Sequence, residues 1–245
     1  MKKRIRSFFH KYKHLWPLLY FFIYMPWFII LENNVTDNYH IMHCFMDDII
    51  PFNELFIIPY LLWFLYLPAI FVFLFYHSTN EFYRLCAYEF TGMTICLLIY
   101  TIFPNGHDLR IDSGIRDNIF INLVNFIYNN DTPTNVCPSI HVFATLSAQI
   151  CLIKSPHMKE LKSRKRIKWF TSVLAVLICL STVFLKQHSF IDLVCGILLS
   201  LTLYLVVFKV WFKNVKFNAP YVKDPRKHEV LYFLNKYNKN SNNFK

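Results

Sequence analysis

The sequence predicts an all-α fold: a polytopic membrane protein, built as a six-transmembrane-helix bundle with a candidate active site at its outer face. Three observations predict it. Of the 245 residues, 55% are hydrophobic, 17% are charged and four are Gly. Several apolar runs approach or reach the roughly 20 residues that carry a helix across a bilayer. Clusters of Lys and Arg alternate along the chain with acidic segments, the pattern left when positive charge is retained on one side of a membrane. This composition excludes an ordinary soluble domain, and the weak polar–apolar alternation excludes a barrel.

Residues 1–218 read as one membrane domain and 219–245 as a polar, flexible cytoplasmic tail. The basic start, Met1 to Arg6, resembles the first part of a signal peptide. The run behind it is long and aromatic with no small-residue cleavage site, so a retained first span from about Leu15 to Leu31 is expected. Pro17 and Pro26 are tolerable there if neighbours satisfy the freed carbonyls. Residues 32–54 form an acidic loop with Glu32, Asp37, Asp47, Asp48 and Glu54. His40, His43 and Cys44 in it follow no zinc spacing, and a surface loop without metal is expected.

The second span covers about Leu55 to Phe75, a polar turn covers 77–84, and the third span covers about Leu85 to Phe103. Glu89, near that start, is expected to snorkel to the interface. Pro104-Asn105-Gly106 breaks the helix, and His107 is read as a loop residue. Between Asp117 and Asn130 the spacing of Ile119, Phe120, Leu123, Val124, Phe126 and Ile127 predicts an amphipathic surface helix. The fourth span runs from about Pro138 to Ile153, the fifth from Trp169 to Leu185 and the sixth from Phe190 to Phe212. The seven Cys read as small core residues; Cys44 and Cys137 share the outer side and could pair.

The formal charge is +11, from 26 basic and 15 acidic residues. All the basic residues except Arg110, Arg116 and Lys186 fall in the N-terminus, the 77–84 turn, the 154–168 loop or the region after Phe208. Positive-inside bias therefore places both termini in the cytoplasm of a multi-pass protein of the cell membrane, with the bilayer as partner. Nucleic acid is not expected, because no aromatic-basic interleaving on a soluble module accompanies the charge. The oligomeric state is left open.

Chemistry concentrates in three outer segments: Phe103 to Arg110, Cys137 to His141, and Ser181 to Asp192. His188 and Asp192 are four apart, so on a helix the carboxylate can hold the imidazole. Ser139 and Pro138 stand where a helix N-terminus offers free N–H groups to an anion. Arg110 offers a planar fork of donors to phosphate oxygens, and Lys186 a point charge. His188 and His141, at two helix starts, fit the nucleophilic and proton-transfer roles of phosphoryl transfer. No metal is required if cations and helix ends neutralise the phosphoryl charge. Taken singly, a His in the position of His141 is more often a hydrogen-bonding residue at a helix end than a catalyst.

Pro138-Ser139-x-His141 followed by His188-x3-Asp192 resembles the type-2 phosphatidic acid phosphatase superfamily, whose fold is shared with vanadium haloperoxidases. The resemblance runs from about Phe103 to Gly196. It implies that His188 is the nucleophile of a phosphohistidine intermediate, Asp192 its orienting carboxylate and His141 the general acid and later base. It implies that Arg110 and Ser139 contact phosphate. The family pattern departs at four places: Phe103 stands for a Lys, Ile111 for a Pro, Ile140 for a Gly and Thr182 for an Arg. Lys186 lies one turn from Thr182 and is the expected replacement cation.

The implied activity is hydrolysis of a lipid phosphate or lipid pyrophosphate without a cofactor. The Cys-Pro-Ser-x-His and Lys-Gln-His-x3-Asp forms also look like inositol phosphorylceramide synthases, which implies the alternative of a head-group phosphotransferase. A transporter or scaffold would fit six spans but leaves the clustered residues without a purpose.

Overall fold

The computed structural model describes residues 13–35, 38–111 and 118–215. The tail beyond 218, the basic residues before Lys13, and Arg116 and Asp117 lie outside them. A 3₁₀ stretch, Lys13–Tyr20, leads into α1 (Phe21–Asn34). A short strand β1 (His40–Ile41) and α2 (Phe45–Ile49) follow, then a 3₁₀ turn, Glu54–Phe56, opening onto α3 (Ile57–His77) and α4 (Thr79–Ile102). Strand β2 (Asn105–Gly106) and α5 (Ile119–Asn130) precede α6 (Ile140–Lys154), α7 (Pro156–Glu160), α8 (Arg164–Phe184) and α9 (Phe190–Leu205). A π-helical segment, Val206–Trp211, extends α9.

Five helices among the described residues are long and apolar enough to cross a membrane: Leu15–Asn34, Glu54–His77, Thr79–Ile102, Arg164–Phe184 and Phe190–Trp211. The expected fourth span is the shorter apolar helix Ile140–Lys154. Its 15 residues rise only about 22 Å, less than a bilayer core. Helix α6 packs against α3, α4, α8 and α9 at once, so it is the axis around which the others stand. Small residues permit this: a Cβ on Gly92 of α4 would strike the Phe143 ring, and one on Gly196 of α9 would sit 2.9 Å from the Ser139 carbonyl.

The main core wraps this axis, with Phe143, Ala144, Ala148 and Cys151 of α6 meeting Tyr66, Leu74, Leu85, Tyr88 and Ile178. The outward faces of α1, α3 and α8 instead expose large apolar side chains such as Phe22, Leu65 and Val176. Apolar surface of that extent on transmembrane-length helices is the mark of a chain whose solvent is lipid.

Helix α4 begins at Thr79 rather than near Leu85, because Ser78 caps it by accepting the Glu81 N–H. That earlier start moves Glu89 into the helix interior. Glu89 is 1% exposed and accepts the Ser147 hydroxyl at 2.6 Å, so it does not snorkel. A helix is found where the spacing placed one, over Ile119–Asn130 with Asn118 as cap; Ile121, Val124 and Ile127 are buried, while Ile119 and Phe126 of the expected apolar face are exposed. All seven Cys are free thiols, so Cys44 and Cys137 are not paired.

The loops at one end of the bundle are tied together. Strands β1 and β2 pair in parallel, and Gly106 bridges to Thr134. Asn105 is completely buried; its Oδ1 accepts the Val136 and Cys137 N–H groups, and its Nδ2 donates to the Phe103 and Cys137 carbonyls. One amide thus sets the approach to Pro138, whose peptide bond is cis and whose carbonyl accepts the Tyr100 hydroxyl.

Candidate active site

The tied loops converge on His188. Helix α8 ends at Phe184, and Lys186 takes a left-handed conformation with φ 53°. The chain reverses there, and the Gln187 and His188 N–H groups both donate to the Thr182 carbonyl. His188 is thereby held just outside the next helix, where Ser189 caps α9 and Asp192 closes the capping box by accepting the Ser189 N–H. One turn into the helix, the Asp192 carboxylate faces back at His188. Asp192 Oδ2 and His188 Nδ1 lie 3.4 Å apart, within ion-pair reach but out of hydrogen-bond alignment. His188 Nδ1 and Asp192 Oδ1 therefore have no hydrogen-bond partner.

The other nitrogen of the ring, His188 Nε2, lies 3.4 Å from His141 Nδ1. His141 sits in the first turn of α6, its ring flanked by Tyr60 and Trp63 of α3 at centroid distances of 5.1 and 4.6 Å. The two helix starts are locked together by the Ser139 N–H, which donates to the Asp192 carbonyl. The structure thus brings together His188, His141 and Asp192 across 52 residues of chain.

The three expected phosphate-binding side chains are occupied by the protein itself. Ser139 is completely buried and its Oγ accepts the Val142 N–H as the cap of α6. The Lys186 ammonium donates to the Asp47 and Ile50 carbonyls, tethering the acidic loop to the turn before His188. Arg110 donates to the Tyr128 and Asp131 carbonyls and to Gln187 Oε1, with its guanidinium 4.6 Å from the Tyr128 ring centre. Burial lowers its pKa, which the carboxylate of Asp131 opposes.

Three residues that the sequence does not mark as site residues complete the site; His107 reads there as a loop residue and Asp47 as part of the acidic loop. Gln187 spends its carbonyl oxygen on Arg110, which fixes the amide orientation because a guanidinium can only donate. Gln187 Nε2 is left buried without a partner. Asp47 accepts the Ser189 hydroxyl and the Phe190 and Cys44 N–H groups. Burial alone would raise its carboxyl; those hydrogen bonds outweigh burial and hold it below the usual carboxylate value. His107, 1% exposed, lies against the Gln187 carbonyl through Nε2 at 2.9 Å, and its Nδ1 accepts the Leu109 N–H. Burial pushes its pKa down to about 3, helped by the neighbouring His188 and Arg110.

A cavity of about 480 Å³ opens onto this centre. Its polar end is lined by His141, His188, Gln187, Asp131, Glu32 and Asn135. Its other walls are mostly apolar, from Trp63 through Leu67 to Phe71 on α3, with Met25, Phe28 and Phe90, but they include Glu89. Eight residues of helix separate Trp63 from Phe71, a depth of about 12 Å below the His141 layer. Burial, with Glu32 beside it, raises the Asp131 carboxyl at the polar end to about 6. Among the described residues, no three His, Cys, Asp or Glu side chains form a group able to hold a metal.

Two histidines on facing helix starts, one backed by a carboxylate, thus open onto one amphipathic slot. Residues 117–216 match the family model described as the PAP2 superfamily, a segment that holds His141, His188 and Asp192, and this assigns the segment to the type-2 phosphatidic acid phosphatase superfamily. No curated protein and no solved structure matches the chain.

Proposed function

We propose that the protein is an integral membrane phosphatase that removes a phosphoryl group from a lipid phosphate or pyrophosphate. The observation that carries this reading is the shape of the cavity: paired histidines at its polar end and a slot of apolar side chains leading away from them. An amphiphile with a phosphate head matches both parts.

In the proposed reaction, the phosphate enters between His188 and His141 and separates the rings. His188 Nε2 attacks phosphorus as the bond from phosphorus to the lipid oxygen breaks, and protonated His141 gives its proton to that oxygen. Asp192 stabilises the charge that develops on the His188 ring. Neutral His141 then takes a proton from water, the water oxygen attacks phosphorus, and the phosphorus–nitrogen bond breaks to release phosphate. Gln187 Nε2 and the Trp63 indole N–H, both buried without partners, are the donors we assign to the phosphate oxygens. Arg110 supports Gln187, and Lys186 holds the turn. Charge asymmetry supports placing this centre on the outer side of the cell membrane, with both termini cytoplasmic.

Phosphate release from short-chain lipid phosphates and isoprenyl pyrophosphates, in detergent with a chelator, tests the hydrolase. Release in excess of a His188→Ala control is expected. The transferase reading is favoured by the weak set of cations, as in the synthase-like forms of the motifs. It predicts instead that the phosphorylated head group moves to an added lipid alcohol with no free phosphate formed.

A further inference from the structure

We propose that Glu89 is a second recognition point inside the slot, bonding a hydroxyl or amide group that the lipid carries below its phosphate. This rests on the lipid-phosphate reading above and narrows the substrate class within it.

Glu89 lines the cavity, is 1% exposed and keeps one carboxyl oxygen, Oε2, buried without a hydrogen-bond partner. Its other oxygen accepts the Ser147 hydroxyl of α6. Among the described residues it forms no ion pair. An ionisable group placed in a membrane helix without a cation is costly, and one that faces an internal cavity is a functional candidate. A purely structural link between α4 and α6 would be complete with the Ser147 bond and would leave no orphaned oxygen in the cavity wall.

Depth decides what the group can meet. Ser147 lies six residues below His141 on α6, so Glu89 stands about 9 Å beneath the histidine layer. With the phosphate held at the histidines, the polar groups a few bonds along the lipid extend toward that level. Hydroxyl and secondary amide groups both donate and accept, so either can bond the free oxygen whatever the protonation of the carboxyl. A diacyl ester or an isoprenoid chain offers only acceptors or no polar group there. Leu67, Phe90 and Met93 share this part of the slot and are apolar, and Tyr24 lines it too; among the described residues that line the cavity there, Glu89 is the one carboxylate.

The test compares an alkyl phosphate with its 2-amido-3-hydroxy analogue of equal chain length, using wild type, Glu89→Gln and Glu89→Leu in detergent. Wild type is expected to favour the amido-hydroxy phosphate by about tenfold in kcat/KM, because a site built to bond a polar group penalises its absence. Glu89→Leu should bring the ratio toward one, and Glu89→Gln should keep part of it. An unchanged ratio in Glu89→Leu, or wild type without a preference, would overturn the proposal. Turnover of neither phosphate would instead remove the phosphatase reading. The Glu89 carboxyl band in an infrared difference spectrum then decides separately: a shift on adding the unphosphorylated amido-alcohol, lost in Glu89→Gln, upholds the contact, and no shift overturns it.

Discussion

Among the described residues a histidine meets a buried carboxylate at each end of the bundle, and the two pairs are finished differently. At the end away from the cavity, Glu81 is completely buried and both its oxygens are used, one by the Ser155 hydroxyl and the other by His157 Nδ1. At the cavity end, Asp192 and His188 stand close, yet an oxygen of one and a nitrogen of the other lack partners. The first pair closes the junction between α4 and α7. The second is left open toward a cavity lined by a second histidine. Residue types do not separate the two; unmet hydrogen-bonding capacity does.

The sharpest way to break that comparison is to remove each histidine in turn. His188→Ala is expected to lower phosphate release by at least about 10³-fold, as for loss of a nucleophile. His157→Ala should leave turnover within about threefold while costing about 1–3 kcal/mol of stability, read as a fall in Tm of about 2–4 °C for each kcal/mol. Equal losses of activity in both variants would erase the distinction.

Gln187 refines it, since its free amide nitrogen is one of the unmet groups. Gln187→Leu keeps the volume and deletes the donor, and kcat/KM is expected to fall about 10- to 100-fold with a smaller effect on Tm. A loss confined to stability would make Gln187 only a support for Arg110.

The smallest expected effect concerns His107, which packs behind Gln187. Its folded pKa, about 3, is below the ordinary 6.5. The unfolded chain therefore binds the extra proton first, and stability falls as pH drops from about 6.5 toward 3. Geometry gives the cause: protonated Nδ1 would have to face the Leu109 N–H that it now accepts. In His107→Gln the Tm between pH 6 and pH 4 should decline less steeply than in wild type; parallel curves would contradict this.

Much of this frame was legible in the sequence, for local reasons. His188 and Asp192 lie on either side of a helix start, so their meeting depended only on spacing. The amphipathic helix before Asn130 followed from the periodicity of its own residues. The start of α4 carried a readable signal that hydropathy hid: Ser78-x-x-Glu81 has capping-box spacing, and following it would have placed Glu89 mid-helix. The destinations of the Arg110 and Lys186 side chains were not legible. Each ends mainly on backbone carbonyls far along the chain, which carry no residue code, with the Gln187 side chain as a further partner of Arg110. The shortness of α6 was already visible in its expected span, but its central place was not, because a central helix and a membrane span share an apolar sequence and differ only in what surrounds them.

The most direct test of a nucleophilic His188 is to trap the intermediate. The protein would be mixed briefly with a ³²P-labelled lipid phosphate and quenched in alkali, which preserves a phosphorus–nitrogen bond. Label on the wild-type chain, absent from His188→Ala and persisting longer in His141→Ala, is the expected result. Phosphate release with no label on wild type, or label that survives in His188→Ala, would contradict it.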